Sequence, residues 1–210
     1  MITFNSVTKS YGLRIILSDV NLCIKRGEFA LICGDTGSGK TTFLKLIYME
    51  EKPTKGEVEV MGISSKHLDK NKLKELRSKT SFITQDDNLI EDVNVYENIF
   101  LPLESIGKFS KEKAVKLLTK FGILNLLSEK ASNLSAGERR IIQIVRELLK
   151  SPILMLCDEP FAVIDKKTEK ILREILIQMN KTGVTIVMTT SKENPGLPCK
   201  RYELKNGKII

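Results

Sequence analysis

The 210-residue chain is defined first by what it lacks. Its wholly apolar runs, such as Ile153 to Cys157, stop at about five residues where a bilayer-spanning helix needs about 20, so a membrane role has to pass through a partner. There is no C-x-x-C pair: Cys23, Cys33, Cys157 and Cys199 are scattered, two of them inside apolar runs, which reads as a reduced, cytosolic chain. There is one histidine, His67, in a polar segment where it reads as a surface residue. Met1 to Asn5 carry neither a basic nor an apolar leader pattern, so no secretory signal is expected and the chain should stay where it is made. Internal repeats and low-complexity tracts are absent as well.

What is present is globular. Hydrophobic residues at 41% and charged residues at 29% exclude a disordered, collagen-like or fibrous chain, and the length suits one core with a sizeable insertion better than two domains. Lys and Arg number 34 against 26 Asp and Glu, a net charge of +8. That balance favours anionic surfaces such as phospholipid or nucleic acid, or else marks a solvated lysine-rich exterior.

The pattern along the chain alternates strand and helix. Ile2 to Phe4 and Val20 to Ile24 alternate as half-buried strands, Arg26-Gly27-Glu28 marks a turn, and Phe29 to Cys33 is a continuous apolar strand. A glycine-rich loop over 34–40 leads into a helix expected over 41–51, followed by a strand or hairpin at 57–60 and a polar helix near 68–78. Ser81 to Ile83 reads as another strand. The stretch 87–150 then reads almost entirely as helix, including 111–121 and 136–150. Strand pattern returns at Ile153 to Cys157, a helix is expected over 166–181 with Gly183 ending it, and Val184 to Met188 is a further buried strand. Strands alternating with helices on both sides of a helical insertion predict a mostly parallel α/β sheet.

Gly34-Asp35-Thr36-Gly37-Ser38-Gly39-Lys40-Thr41 matches G-x-x-x-x-G-K-[ST], in which backbone N–H groups face phosphate oxygens at a helix N-terminus. Lys40 is expected to reach the β- and γ-phosphates and the hydroxyl of Thr41 to hold magnesium, and residues 34–41 with Thr42 are the expected ATP-binding stretch. The strand ending in Asp158-Glu159 supplies two carboxylates: Asp158 to ligate the metal or stand behind it, Glu159 to accept a proton from water. An acidic pair at a strand end can also be a plain helix-capping turn, a reading weakened by the phosphate loop upstream.

With these motifs in place the sequence resembles the ATP-binding cassette (ABC) ATPases over essentially its whole length. Leu134-Ser135-Ala136-Gly137-Glu138 is similar to that family's signature, normally L-S-G-G-Q or L-S-G-G-E, and Ser135 followed by Glu138 is also a capping box opening the helix that follows. By the resemblance, Ser135, Ala136, Gly137 and Glu138 contact a γ-phosphate across a homodimer, Tyr11 stacks on adenine, Gln85 lies near magnesium and the attacking water, and Asp165 makes a dimer contact. It implies a P-loop NTPase core with a mostly parallel sheet, an N-terminal antiparallel β region and an inserted α-helical subdomain. Residues 1–86 and 151–210 would form the core and 87–150 the helical part of one ABC ATPase domain. A GTPase is disfavoured, because Asn180-Lys181-Thr182-Gly183 lacks the aspartate of a base-reading N-K-x-D motif.

Asn88-Leu89, the string from Asn94 to Ile99, and Leu101-Pro102-Leu103 look most like the FtsE-type cell-division ATPases and their lipoprotein- and macrolide-export relatives. That implies ATP and Mg2+ as cofactors, an integral membrane partner of the FtsX or ABC permease type contacted near Gln85 and residues 87–106, and a peripheral place on the cytoplasmic face of the membrane. Three departures stand out. Thr189-Thr190-Ser191-Lys192 puts Ser191 where the family has a phosphate-contacting histidine, so slow turnover is expected. Ala136 replaces a glycine, with a methyl group that crowds the trans phosphate contact, and Ile141 stands where arginine is common. Two other readings stay open: a soluble cassette acting on nucleic acid or ribosomes, disfavoured because 210 residues leave no room for a second cassette or long insert, and a nucleotide-gated scaffold that scarcely hydrolyses ATP.

Overall fold

The computed structural model describes residues 1–104, 107, 110–191 and 196–210; of the segments singled out above, 105–106 and Lys192 lie outside these. Two sheets organise the chain. β1 (Ile2–Tyr11), β2 (Arg14–Ile24), β4 (Lys55–Val60) and β5 (Ile63–Ser64) form an antiparallel sheet in the order β2-β1-β4-β5. β3 (Phe29–Cys33), β6 (Thr80–Ile83), β7 (Leu154–Asp158), β8 (Thr185–Thr190), β9 (Lys200–Lys205) and β10 (Lys208–Ile209) form the second, in the order β10-β9-β3-β8-β7-β6. All its neighbours are parallel except β9 and β10.

Why β3, β7 and β8 read as unbroken apolar runs is now plain, because both faces of this sheet are covered. Successive side chains point to opposite sides. Phe29, Leu31, Cys33, Met155, Cys157, Ile186 and Met188 join one core with helices α3 (Val95–Glu104), α4 (Lys111–Phe121), α5 (Ala136–Leu149) and α6 (Lys166–Lys181). Ala30, Ile32, Leu154, Leu156 and Val187 join the other core, with α1 (Lys40–Ile47), Leu76 of α2 (Lys70–Lys79) and the antiparallel sheet. The parallel register sets Cys33 beside Thr190 and Asp158 beside Thr189, so the loops leaving β3, β7 and β8 emerge together at one sheet edge.

Several expectations need correction. The first helix ends at Ile47, short of 51, because Met49 takes a left-handed backbone (φ 53). Residues 122–135 are not helical apart from two single turns, Leu124–Leu126 and Ala131–Asn133; Gly122 ends α4 in a left-handed cap. β1 and β2 form a far longer hairpin than their ends suggested, with register shifts after Phe4, Val7 and Lys9 that break the simple alternation. β9 and β10 were not anticipated, although Tyr202 and Leu204 alternate inward and Asn206-Gly207 (φ 50 and 75) is a favoured two-residue hairpin turn. Gly207 is required there, since a Cβ would lie 2.9 Å from the Ile16 carbonyl oxygen. Among the described residues no helix is long and apolar enough to cross a membrane.

Candidate active site

The phosphate loop joins β3 to α1, whose N-cap, Gly39, adopts φ 105 and offers no side-chain cap. A side chain at residue 39 would be strained by that backbone and would meet Ile16 Cγ2 at 2.8 Å. The N–H groups of the first turn therefore point into the loop without an internal partner. Nearby, Ser38 Oγ is buried and has no hydrogen-bond partner among the described residues. Both features fit an anionic oxygen held in the loop.

Lys40 folds back across this cradle. Its Nζ donates to the carbonyl oxygens of Gly34 (2.7 Å) and Asp35 (2.9 Å) and lies 3.6 Å from Glu159 Oε1. Thr41 Oγ1 donates to Asp158 Oδ2 at 2.6 Å, and Thr189 Oγ1 donates to the other carboxylate oxygen, Oδ1, at 2.6 Å. Asp158 is thus clamped by two hydroxyls at 1% exposure. Thr41 and Asp158 together present a hard oxygen set suited to a magnesium ion shared with phosphate.

The next residue carries backbone strain. Glu159 has φ 46, an uncommon region for a residue with a side chain. Its N–H donates to Thr189 Oγ1 at 3.1 Å, while Ser191 Oγ donates to its Oε2 at 3.2 Å. Ser191 therefore reaches the carboxylate itself. The fold brings Lys40, Thr41, Asp158, Glu159 and Ser191 together.

Lys40, Thr41, Glu159 and Ser191 border a cleft of about 720 Å³ that Thr36, Gly37, Gly39, Thr42, Gln85 and Ala136 also line, while Asp158 lies behind Thr41. Asp35 and Ser38 face a smaller neighbouring cleft of about 300 Å³ beside the β9–β10 turn. Other expected residues stand apart. Tyr11 is 45% exposed, with Lys9 Nζ 4.8 Å from its ring centre, and does not line the larger cleft. Asp165 caps α6, accepting from the N–H groups of Lys167 (2.7 Å) and Thr168 (2.9 Å) and from Thr168 Oγ1 (2.9 Å). Those hydrogen bonds, led by the Thr168 amide, hold its carboxyl below the usual range.

Ser135 and Glu138 form the capping box read from the sequence. The Glu138 N–H donates to Ser135 Oγ at 3.3 Å, and the Ser135 N–H to Glu138 Oε2 at 2.9 Å. The Ser135 hydroxyl draws the Glu138 carboxyl down. Gly137 lies opposite the carbonyl of Val163, a β-branched residue 69% exposed in the left-handed region (φ 67) at the cleft lip. Ile141 is buried in the helical core.

The sequence reading missed Thr189, which ties both carboxylate residues together, and Arg14, Asp87, Arg139 and Arg140, which line the cleft. Arg139 makes a two-pronged contact to Asp87, Nε to Oδ2 at 2.7 Å and Nη2 to Oδ1 at 3.1 Å. Partial burial pushes the Asp87 carboxyl up, but hydrogen bonds from Arg139 and the Leu89 amide outweigh it and leave it below its ordinary value. No local signal marks these residues, since each acts across the fold.

A profile of the ABC transporter family matches residues 17–162. The lipoprotein-releasing system ATP-binding protein LolD of Aquifex aeolicus is 34% identical over 200 residues, which cover 93% of this chain and 89% of that one. The cell division ATP-binding protein FtsE of Mycobacterium tuberculosis is 33% identical over 217 residues, 100% of this chain and 94% of its own. Among solved structures, the dimeric post-hydrolysis state of the ATP-binding cassette MJ0796 bound to ADP and Pi superposes with a TM-score of 0.90 at 33% identity, covering 100% of this chain and 96% of that one.

Proposed function

The chain belongs to the ABC transporter ATPase family, and from that premise we propose that it binds ATP with Mg2+ in the 720 Å³ cleft, pairs with a second copy of itself and drives an integral membrane partner. The observation that carries this is the convergence, where β3, β7 and β8 end, of Lys40 and Ser191 on Glu159 and of Thr41 on Asp158, with Lys40, Thr41, Glu159 and Ser191 lining the cleft. The unpartnered Ser38 hydroxyl and uncapped α1 N-terminus support a phosphate in the loop.

In this reading the phosphate oxygens replace the carbonyls of Gly34 and Asp35 as acceptors for Lys40, which neutralises the β- and γ-phosphates. Thr41, Asp158 and Gln85 would hold magnesium, which supplies charge neutralisation to the phosphates when bound. Water attacks the γ-phosphorus, the bond to the β–γ bridging oxygen breaks, and the water's proton passes to Glu159, leaving ADP and inorganic phosphate. The left-handed backbone of Glu159 turns its carboxylate towards the cleft, where Lys40 and Ser191 hold it. Ser191 donates one neutral hydrogen bond where a histidine could be cationic, so turnover is slow. Tyr11 would support the base, Asp165 the dimer contact, and Ser135 to Glu138 the partner's γ-phosphate.

The membrane partner is of the FtsX or ABC permease type, contacted near Gln85 and α3, and the ATPase sits at the cytoplasmic face. A partner for FtsE-type work and one for LolD-type work fit the chain equally, as the two relatives are near-equal in identity. The test uses Glu159→Gln as bait with ATP and magnesium against solubilised membranes and cytosol. ATP-dependent recovery of one integral membrane protein is expected. Recovery of nucleic acid or ribosomes that survives moderate salt would overturn the assignment.

A further inference from the structure

Arg140, on the signature helix α5, is 5% exposed and makes no ion pair among the described residues. Its acceptors are all uncharged. Nη1 donates to the Thr84 carbonyl and to Gln143 Oε1 (2.7 Å), and Nη2 donates to the carbonyl oxygens of Asp158 and Glu159, both at 3.1 Å. Burial lowers its pKa from the ordinary arginine value. Gln143, one turn on and also buried, donates Nε2 to Thr84 Oγ1 (2.8 Å) and to the Asp86 carbonyl (2.7 Å). These partners lie in two segments remote in sequence, the loop 84–86 and the end of β7 at 158–159.

Burying an unpaired guanidinium is costly, and core packing would be served better by an apolar side chain of the same length. The carbonyls that Arg140 and Gln143 hold share one property. Those of Thr84 and Asp86 flank Gln85 on both sides, that of Asp158 shares a peptide with the Glu159 N–H already fixed by Thr189, and that of Glu159 lies on the far side of the same left-handed residue. A planar fork spans such separated acceptors, whereas a lysine ammonium is a point. About one turn before Arg140 the same helix begins at Ala136, which lines the cleft.

We propose that Arg140 and Gln143 are positioning residues that bracket Gln85 and Glu159 to the signature helix, so that the two groups facing the attacking water keep one spacing set by α5. The hydrogen bonds of both go to the protein, so both act through the backbone of Thr84, Asp86, Asp158 and Glu159. The proposal rests on the ATPase reading above for its catalytic consequence and on the contacts alone for its structural one.

The test compares wild type with Arg140→Met and Gln143→Met in steady-state ATPase assays and in amide hydrogen exchange with and without ATP. The bracket predicts a kcat lower by about 10-fold or more, as expected when reacting groups are misplaced by about 1 Å, with KM for ATP within about 3-fold of wild type. It also predicts faster exchange confined to residues 84–88 and 159–162, with the phosphate loop unchanged. A kcat retained within about 3-fold in a folded variant, or a loss of kcat matched by loss of ATP affinity, would overturn it. If Arg140→Met does not fold, Gln143→Met decides, since it removes the donors to Thr84 and Asp86 and leaves the guanidinium in place. A wild type that binds but does not hydrolyse ATP would sink the functional reading, and exchange at 84–88 would still decide the bracket.

Discussion

Thr189→Val removes one hydroxyl and changes almost nothing in shape. That oxygen donates to Asp158 Oδ1 at 2.6 Å and accepts from the Glu159 N–H at 3.1 Å, in a position with no solvent exposure. A hydrogen bond to a charged group contributes about 1.5–3 kcal/mol, and a buried N–H left without an acceptor costs about 1–3 kcal/mol. The two effects share one site and do not add fully, so a loss of about 2–4 kcal/mol is expected. For a chain of this size about 2–4 °C of melting temperature accompanies each kcal/mol, giving a drop of roughly 4–16 °C. Turnover should fall too, because the Glu159 peptide loses the contact that fixes its N–H. Thr189→Ser keeps the hydroxyl and gives up one buried methyl, about 1 kcal/mol, and should retain turnover. Thermal melts read by circular dichroism, beside phosphate-release assays, measure both. A Thr189→Val protein that melts within about 2 °C of wild type, below the shift of a single kcal/mol, and hydrolyses ATP at the wild-type rate would refute the clamp.

Ser191→His places a longer, chargeable donor beside Glu159 and should raise ATP turnover, up to about 10-fold or more on the scale of one transition-state donor; an equal or lower rate would show that the serine is not what limits the chain. Ser135→Ala removes the cap of α5 and should cost about 1 kcal/mol in a melt, and in the Glu159→Gln background it should also weaken ATP-dependent dimers on gel filtration. Acid stability follows Glu138 and Asp87, whose ordinary values are 4.5 and 3.8 and which the fold holds lower. Their stabilisation is complete above those values and is lost as pH falls through the lowered ones, so melts from about pH 6 to about pH 3 should steepen at the acid end and flatten in a Glu138→Gln, Asp87→Asn variant.

Legibility in the sequence followed the range of each interaction. The capping box of Ser135 and Glu138, the full span of α6 from Lys166 to Lys181 and the apolar strand Phe29 to Cys33 were readable because their determinants lie within a few residues or repeat at a fixed period. The β1–β2 hairpin was readable only at its ends, where alternation survives, since its register shifts scramble the middle. The β9–β10 hairpin carried an Asn206-Gly207 turn that marked it, but its charged outer face hid the strand.

By itself the sequence determined the phosphate loop, the acidic pair Asp158-Glu159 and the serine at 191, each a contiguous string whose chemistry depends on its own residues. Only the tertiary structure decided what holds them. Thr189 meets Asp158 because β7 and β8 pair in that parallel register, and Arg140 meets the carbonyls of Thr84 and Glu159 because α5 packs across the ends of β6 and β7. Such partners are set by strand register and helix placement, which sum weak preferences over the whole chain and leave no mark at the residues that meet.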